Sequence, residues 1–128
     1  LAGKRIPYPH SGLITSEKML RDRREAMLRF GRAAVEAIHY FKTRKPETVA
    51  VLKKYVKTDP TTLETAYAYL KTAIPDLPYP TLEGMKTFIA EAGRTQPAIA
   101  KADPAAFVDP SIVKAVEDEG FLKKLSKN

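Results

Sequence analysis

The sequence predicts a mainly α, multi-helical fold with at most short strands near residues 5–15. One observation is the stretch from Ser16 to Arg44, which has no proline and one glycine and repeats its apolar residues at spacings of three and four. The other is that every strong apolar period after Ser16 is helical, at about 3.6 residues, and that helix-start signals such as Asp-Pro recur along the chain.

The first predicted helix runs from Ser16 to about Arg44, and the hydroxyl of Thr15 or Ser16 can cap its start. Most of its apolar side chains share one broad face, which we expect to be buried: Leu20, Met27, Phe30, Ala34, Ile38 and Phe41. Leu28 and Val35 form a minor second stripe. On the opposite side we expect ion pairs between charged residues four apart: Glu17, Arg21, Glu25, Arg29, and then Arg32 with Glu36.

The organisation predicted for the chain is an extended arm over residues 1–15 and a helical body over residues 16–128. Pro7 and Pro9 disfavour helix in the arm, where a short strand over residues 12–15 is plausible. The later helices are expected at Pro46 to Lys57, Pro60 to Ile74, Thr81 to Ala92 and Asp109 to Gly120, with residues 94–108 irregular except for a turn of helix near 98–101.

The apolar spacing of these later helices predicts which side chains face the core. Those side chains are Val49, Leu52, Tyr55 and Val56, then Leu63, Ala66, Tyr67, Leu70 and Ile74, then Leu82, Met85, Phe88 and Ile89, and last Ile112, Val113 and Val116. Gly120 should end the last helix, with Phe121 and Leu122 making a hydrophobic contact after it. Tyr40 and Tyr69 look peripheral and could anchor a partner.

The net charge of +7 lies entirely in the first part of the chain. Residues 1–45 carry eleven Lys or Arg against four Asp or Glu, whereas residues 46–128 carry eleven of each. A basic helix can bind a phosphate backbone. Here the cations alternate with carboxylates and lack interleaved aromatic side chains, so a solvated, salt-bridged face is the favoured interpretation and no nucleic-acid partner is expected.

No constellation for catalysis, cofactor binding or metal binding is found. His10 and His39 are the only histidines, and neither has a second ligand at metal spacing. There is no cysteine, no glycine-rich phosphate loop, no nucleophile elbow and no membrane-length apolar run, and the first residues, LAGKRIPYPH, lack the apolar core of a signal peptide. We therefore expect a protein that is not an enzyme and has no cofactor. The first residue is Leu, which suggests a mature or excised piece of a longer product.

Five segments, in order, give the chain a resemblance to a known family. They are GLITSEKML, FGRAAVEAIHYFKTRKPETVAVLKKY, PYPTLEGMKTFI, DPAAFVDPSIVK and EGFLKKL. Together they resemble the carboxyl-terminal part of ABC-importer solute-binding proteins, of the nitrate/sulfonate/taurine-like and thiamine-precursor-like group. The resemblance covers nearly all 128 residues, although members of this family are roughly two to three times as long.

The resemblance implies a fragment of a two-lobe α/β periplasmic-binding-protein (type II) fold. It implies capture of a small organic or anionic solute by closure of two lobes, delivery to ABC permease subunits, and a periplasmic or cell-envelope location. The amino-terminal half, which supplies most ligand contacts in the family, would be missing. Only the arm lies near the hinge of such proteins, so the candidate ligand-binding residues are Tyr8, His10, Ser11 and Gly12.

Two further expectations follow from the sequence. The alternative function is an autonomous basic helical module that binds protein or nucleic acid, and it rests on the isoelectric point of about 9.6 and the basic first helix. The resemblance also implies that these helices lack the sheet, contributed by the missing amino-terminal half, on which they normally pack, so that apolar faces are exposed. We therefore expect a homodimer of this chain, in which the arm could exchange between the two copies.

Overall fold

A computed structural model describes residues 12–127 and shows that this part of the chain is mainly helical and contains no strand. The seven α-helices are α1 (Glu17–Asp22), α2 (Arg24–Thr43), α3 (Lys45–Tyr55), α4 (Pro60–Ala73), α5 (Leu82–Ala92), α6 (Ser111–Asp118) and α7 (Phe121–Leu125). Two short 3₁₀ turns, Ile99–Lys101 and Pro104–Phe107, lie between α5 and α6. The mainly α prediction is confirmed. The strand suggested for residues 12–15 is absent, and the rest of the arm lies outside the described residues.

The long first helix is divided, which the sequence did not predict. Ser16 caps α1, since its hydroxyl accepts a hydrogen bond from the amide of Met19 at 3.2 Å. At Arg23 the backbone leaves the helical region with φ −130° and ψ 35°, and α2 begins without a side-chain cap. No residue of α1 is buried. Leu20 is only half-buried, so the packing of α1 does not require it to continue straight into α2.

Two later helix starts were predicted correctly. The Asp59 carboxylate accepts a hydrogen bond from the amide of Thr62 at 2.9 Å, and Pro60 occupies the first turn of α4. The hydrogen bonding from Thr62 lowers the pKa of Asp59. At α5, the Thr81 hydroxyl accepts from the amide of Gly84 at 3.2 Å. In each case a side-chain oxygen satisfies an amide that has no partner within the helix.

Helix α2 is the centre of the fold, because α1, α3, α6 and α7 all pack against it. Its buried residues are Gly31 and Val35, and Gly31 lies against Val116 of α6, which is fully buried. A Cβ added to Gly31 would lie 2.8 Å from the Cγ2 of Ile112 and 3.4 Å from that of Val116. Glycine at this position therefore lets α2 and α6 approach closely.

The face of α2 that is most deeply buried is not the one that the sequence predicted. Val35 has 1% of its surface exposed, whereas Phe30, on the predicted main face, has 52%. The short helices α6 and α7 cover the minor second stripe of the helix, that of Leu28 and Val35, and not the predicted main face. Predicted burial was also wrong for several residues of the later helices, which are exposed: Tyr55, Val56, Ala66, Leu70, Leu82 and Phe88.

A second core lies between α3 and α4. Val49, Leu63 and Tyr67 are buried there, and Phe41 and Leu52 pack against them. The Tyr67 hydroxyl donates a hydrogen bond to the carbonyl oxygen of Phe41 at 2.9 Å, and the two rings are 5.1 Å apart between centroids. This contact joins the end of α2 to α4, so the α3–α4 hairpin is fixed to the central helix.

The last part of the chain contains one correct and one missed prediction. Gly120 has φ 65°, the left-handed conformation expected of a glycine that follows a helix. Residues Phe121–Leu125 then form α7, a helix that the sequence analysis did not anticipate. Helix α7 packs against both α6 and α2. The apolar residues after Gly120 therefore belong to a helix of their own.

Candidate functional site

The structure gives no support to a site at the predicted ligand-binding residues. Tyr8, His10 and Ser11 lie outside the described residues. Gly12 is exposed, and no atom lies within 4 Å of the position that a Cβ would occupy there. Gly12, the one described candidate, lines neither of the two surface depressions described below.

Neither a metal site nor a membrane-spanning helix is found among the described residues. Within residues 12–127, no group of three or more His, Cys, Asp or Glu side chains could hold a metal ion. In the same range, no helix has both the length and the apolar character needed to cross a membrane.

Two surface depressions stand out in the part of the chain that the structure describes. One is shallow and lies on α4, where it is lined by Thr61, Thr62, Thr65, Ala66 and Tyr69. The other is an open groove of about 550 Å³ between the second half of α2 and the end of α7. We call it the α2–α7 groove; its lining residues are Glu36, His39, Tyr40, Thr43, Arg44, Leu125 and Ser126.

The α2–α7 groove contains polar side chains with free hydrogen-bonding capacity. Glu36, Tyr40 and Arg44 make no side-chain hydrogen bond or ion pair with any residue in the range 12–127. The hydroxyl of Thr43, by contrast, donates to the backbone carbonyl of His39 at 2.7 Å. The groove therefore offers a carboxylate, a phenol and a guanidinium that no described neighbour uses.

Elsewhere on α2, charged side chains are engaged across the fold. Arg32 forms a two-pronged pair with Glu119, with its Nε 2.8 Å from Oε2 and its Nη2 2.7 Å from Oε1. This hydrogen bonding raises the pKa of Arg32 and lowers the pKa of Glu119. Lys42, which is largely buried, pairs with Asp76 at 2.7 Å.

These contacts also test the predicted charge pattern. Arg21 pairs with its neighbour Asp22 at 3.1 Å rather than with a residue four positions away. Arg32 lies 3.6 Å from Glu25 and closest to Glu119, not to Glu36. A salt-bridged face was expected and ion pairs are present, but several partners are tertiary rather than one turn apart.

The segment between α4 and α5 is tied to α6 by Tyr79. Its hydroxyl donates a hydrogen bond to the Glu117 carboxylate, and this bond raises the pKa of Tyr79 to about 12. With the Lys42–Asp76 pair, the proline-rich segment is held at two points. We assign this pair of contacts a structural role.

The chain exposes a large apolar surface. Among residues 12–127, thirteen large hydrophobic side chains are exposed, including Ile14 at 98% and Tyr55 at 81%. The accessible surface is 9882 Å², whereas a compact monomer of 14.3 kDa has about 6,800 Å². If residues 1–11 contributed the maximum of an extended chain, about 1,750 Å², the excess would still be more than about 1,000 Å².

No protein-family model, curated protein or solved structure matches this chain.

Proposed function

We propose that this chain is the carboxyl-terminal part of the solute-binding component of an ABC importer. It would complete a two-lobe α/β protein that captures a small organic or anionic solute and delivers it to permease subunits in the periplasm or cell envelope. The proposal includes no catalytic step, no cofactor and no nucleic-acid partner.

The observation that carries the proposal is the resemblance of five ordered segments. These segments span α1, the end of α2 with α3, the start of α5, the second 3₁₀ turn with α6, and α7. The excess of accessible surface gives further support, because a helical part of a larger body would leave uncovered the faces that the rest of that body packs against.

Binding by the complete protein tests the proposal. The native reading frame that contains this chain should be expressed, and its melting temperature followed with nitrate, alkylsulfonates, taurine and pyrimidine precursors. A solute at about 1,000 times its Kd stabilises the folded state by about 4 kcal/mol. The 128-residue chain alone is the control and should show no shift. Micromolar binding to this chain alone, or a native product without a second lobe, would overturn the proposal.

The second candidate is the basic helical module, favoured by the concentration of positive charge in residues 1–45. In the structure, Lys18, Arg21, Arg32, Lys42 and Lys45 of this region are already paired with carboxylates. This pairing reduces the charge available to phosphates. A filter-binding titration with DNA and RNA at 50 and 200 mM salt separates the two, since phosphate binding weakens steeply with salt.

A further inference from the structure

The exposed edge of α2 in the α2–α7 groove has a regular arrangement of charge. Glu36 and Tyr40 lie one turn apart on α2, and Arg44, four residues further on, is the residue at which the helix ends, with φ −111° and ψ 65°. The three side chains follow one another along this edge as a ridge. The amide of Arg44 still donates to the carbonyl of Tyr40 at 2.8 Å, which keeps Arg44 on the next turn. The carboxylate and the guanidinium thus lie one turn, about 6 Å, on either side of the tyrosine.

This ridge is complementary to itself. When two such ridges lie side by side in opposite directions about a twofold axis at Tyr40, each Glu36 is next to Arg44 of the second copy and the two tyrosines are neighbours in the centre. Packing of ridges spaced by four residues is the commonest way in which helices cross. A twofold axis also requires that each interface residue find its partner in the same patch.

We infer that the α2–α7 groove is a homodimer interface whose occupant is the α2 ridge of a second copy of this chain. The three side chains are suited to it: Tyr40 is 46% exposed, and neither Glu36 nor Arg44 has a partner within residues 12–127. Leu125 and Ser126 form the wall against which the incoming helix lies.

The accessible surface is large enough for such an interface. A standard stable interface buries about 800 Å² on each partner. The chain exceeds a compact monomer of its mass by more than about 1,000 Å², even after the allowance for residues 1–11. Tyrosine and arginine are also the residues most often found at the energetic centre of interfaces. The surplus of surface is therefore large enough for an interface, and the charge pattern is what identifies the second copy as its occupant.

Charge reversal tests this arrangement. Arg44→Glu places two pairs of carboxylates opposite each other, and Glu36→Arg places two pairs of guanidinium groups opposite each other. Each single variant should raise the dimer Kd by at least about tenfold, because like charges in an interface are strongly unfavourable. The double variant, Glu36→Arg with Arg44→Glu, restores both pairs in exchanged positions and should return to within about threefold of the parent Kd.

The measurement is sedimentation equilibrium of the full chain at several concentrations, with circular dichroism to verify that each variant is folded. Arg29→Glu is the matched control, since Arg29 is an exposed arginine on α2 outside the groove, and it should leave the Kd unchanged. A monomeric parent chain would overturn the inference. So would a dimer that is insensitive to the single reversals or not restored by the double one, which would indicate another face or another partner for the groove. Neither result would bear on solute binding by the complete protein.

Discussion

Replacing Gly31 by alanine tests the packing of α2 against α6 with one added methyl group. In an open helix this change is stabilising by about 1 kcal/mol, because alanine has the higher helix propensity. Here the new Cβ would lie 2.8 Å from the Cγ2 of Ile112, which is attached directly to the β-carbon and cannot move away by rotation of a distant bond. Overpacking of this kind costs about 1–3 kcal/mol.

We expect an overpacking cost toward the upper end of that range. The Cγ2 of Val116 lies 3.4 Å from the new Cβ, so the added methyl group cannot shift in that direction either. We therefore expect Gly31→Ala to destabilise the chain by about 1–2 kcal/mol after the gain in propensity. For a domain of this size the loss corresponds to a decrease in melting temperature of roughly 4–8 °C.

Urea denaturation followed by circular dichroism gives the free energy of unfolding. Ala37→Gly, at an exposed position of the same helix, supplies the propensity difference without a change in packing. Ile112→Ala removes the opposing methyl group, so a double-mutant cycle should show that Gly31→Ala becomes less harmful in that background. If Gly31→Ala stabilises the chain by about 1 kcal/mol, α2 and α6 are not in close contact and the reasoning is refuted.

Three further predictions concern single side chains. Val35→Ala should cost about 2 kcal/mol through loss of two buried methyl groups, whereas Phe30→Ala should cost less because Phe30 is half exposed. If urea melts show the opposite order, the buried face of α2 is the one that the sequence predicted. Tyr67→Phe should cost about 1 kcal/mol, since the carbonyl of Phe41 loses its closer side-chain donor and keeps only the Thr48 hydroxyl at 3.5 Å, and an unchanged stability would show that the hydrogen bond is not formed. Tyr79 should titrate near pH 12 in an absorbance titration. Because folding raises the pKa of Tyr79, the contribution of its hydrogen bond to stability is complete below about pH 10 and is lost as the pH rises toward 12. A Tyr79→Phe variant with the same alkaline limb of stability would contradict this assignment.

Local signals account for much of what the sequence predicted correctly. The helix starts at Asp59 and Thr81 depend on hydrogen bonds between residues three apart, so a short stretch of sequence is enough to predict them. The left-handed residue at Gly120 is local in the same sense. The division at Arg23 is different, because no proline or glycine marks it and α1 has no buried side chain. Nothing within that stretch distinguishes one long helix from two.

The facing of α2 illustrates a limit of hydrophobic periodicity. A helix with apolar residues on two flanks shows which positions can be buried, but not which neighbour is available to cover them. The stripe with Val35 is covered because α6 and α7 return to it from the far end of the chain and a glycine at position 31 admits close contact. Phe30 had the larger side chain and the longer stripe, and it is half exposed. Tertiary contacts therefore determine which of the two apolar faces of α2 is buried, and the buried face is the one that the sequence alone predicts to be the minor one.

The same argument explains why the α2–α7 groove was not predicted while its central residue was noticed. Tyr40 was expected to be peripheral, and it is 46% exposed. Glu36 was assigned to Arg32 as a pair four residues apart, but Arg32 pairs with Glu119 at 2.7 Å and Glu36 has no described partner. A tertiary ion pair that recruits one arginine therefore leaves a carboxylate free one turn from the tyrosine. That free carboxylate, with Arg44 on the other side of Tyr40, makes the exposed edge of α2 complementary to itself, so the tertiary pair between Arg32 and Glu119 leaves the surface that we propose as the site of a second copy.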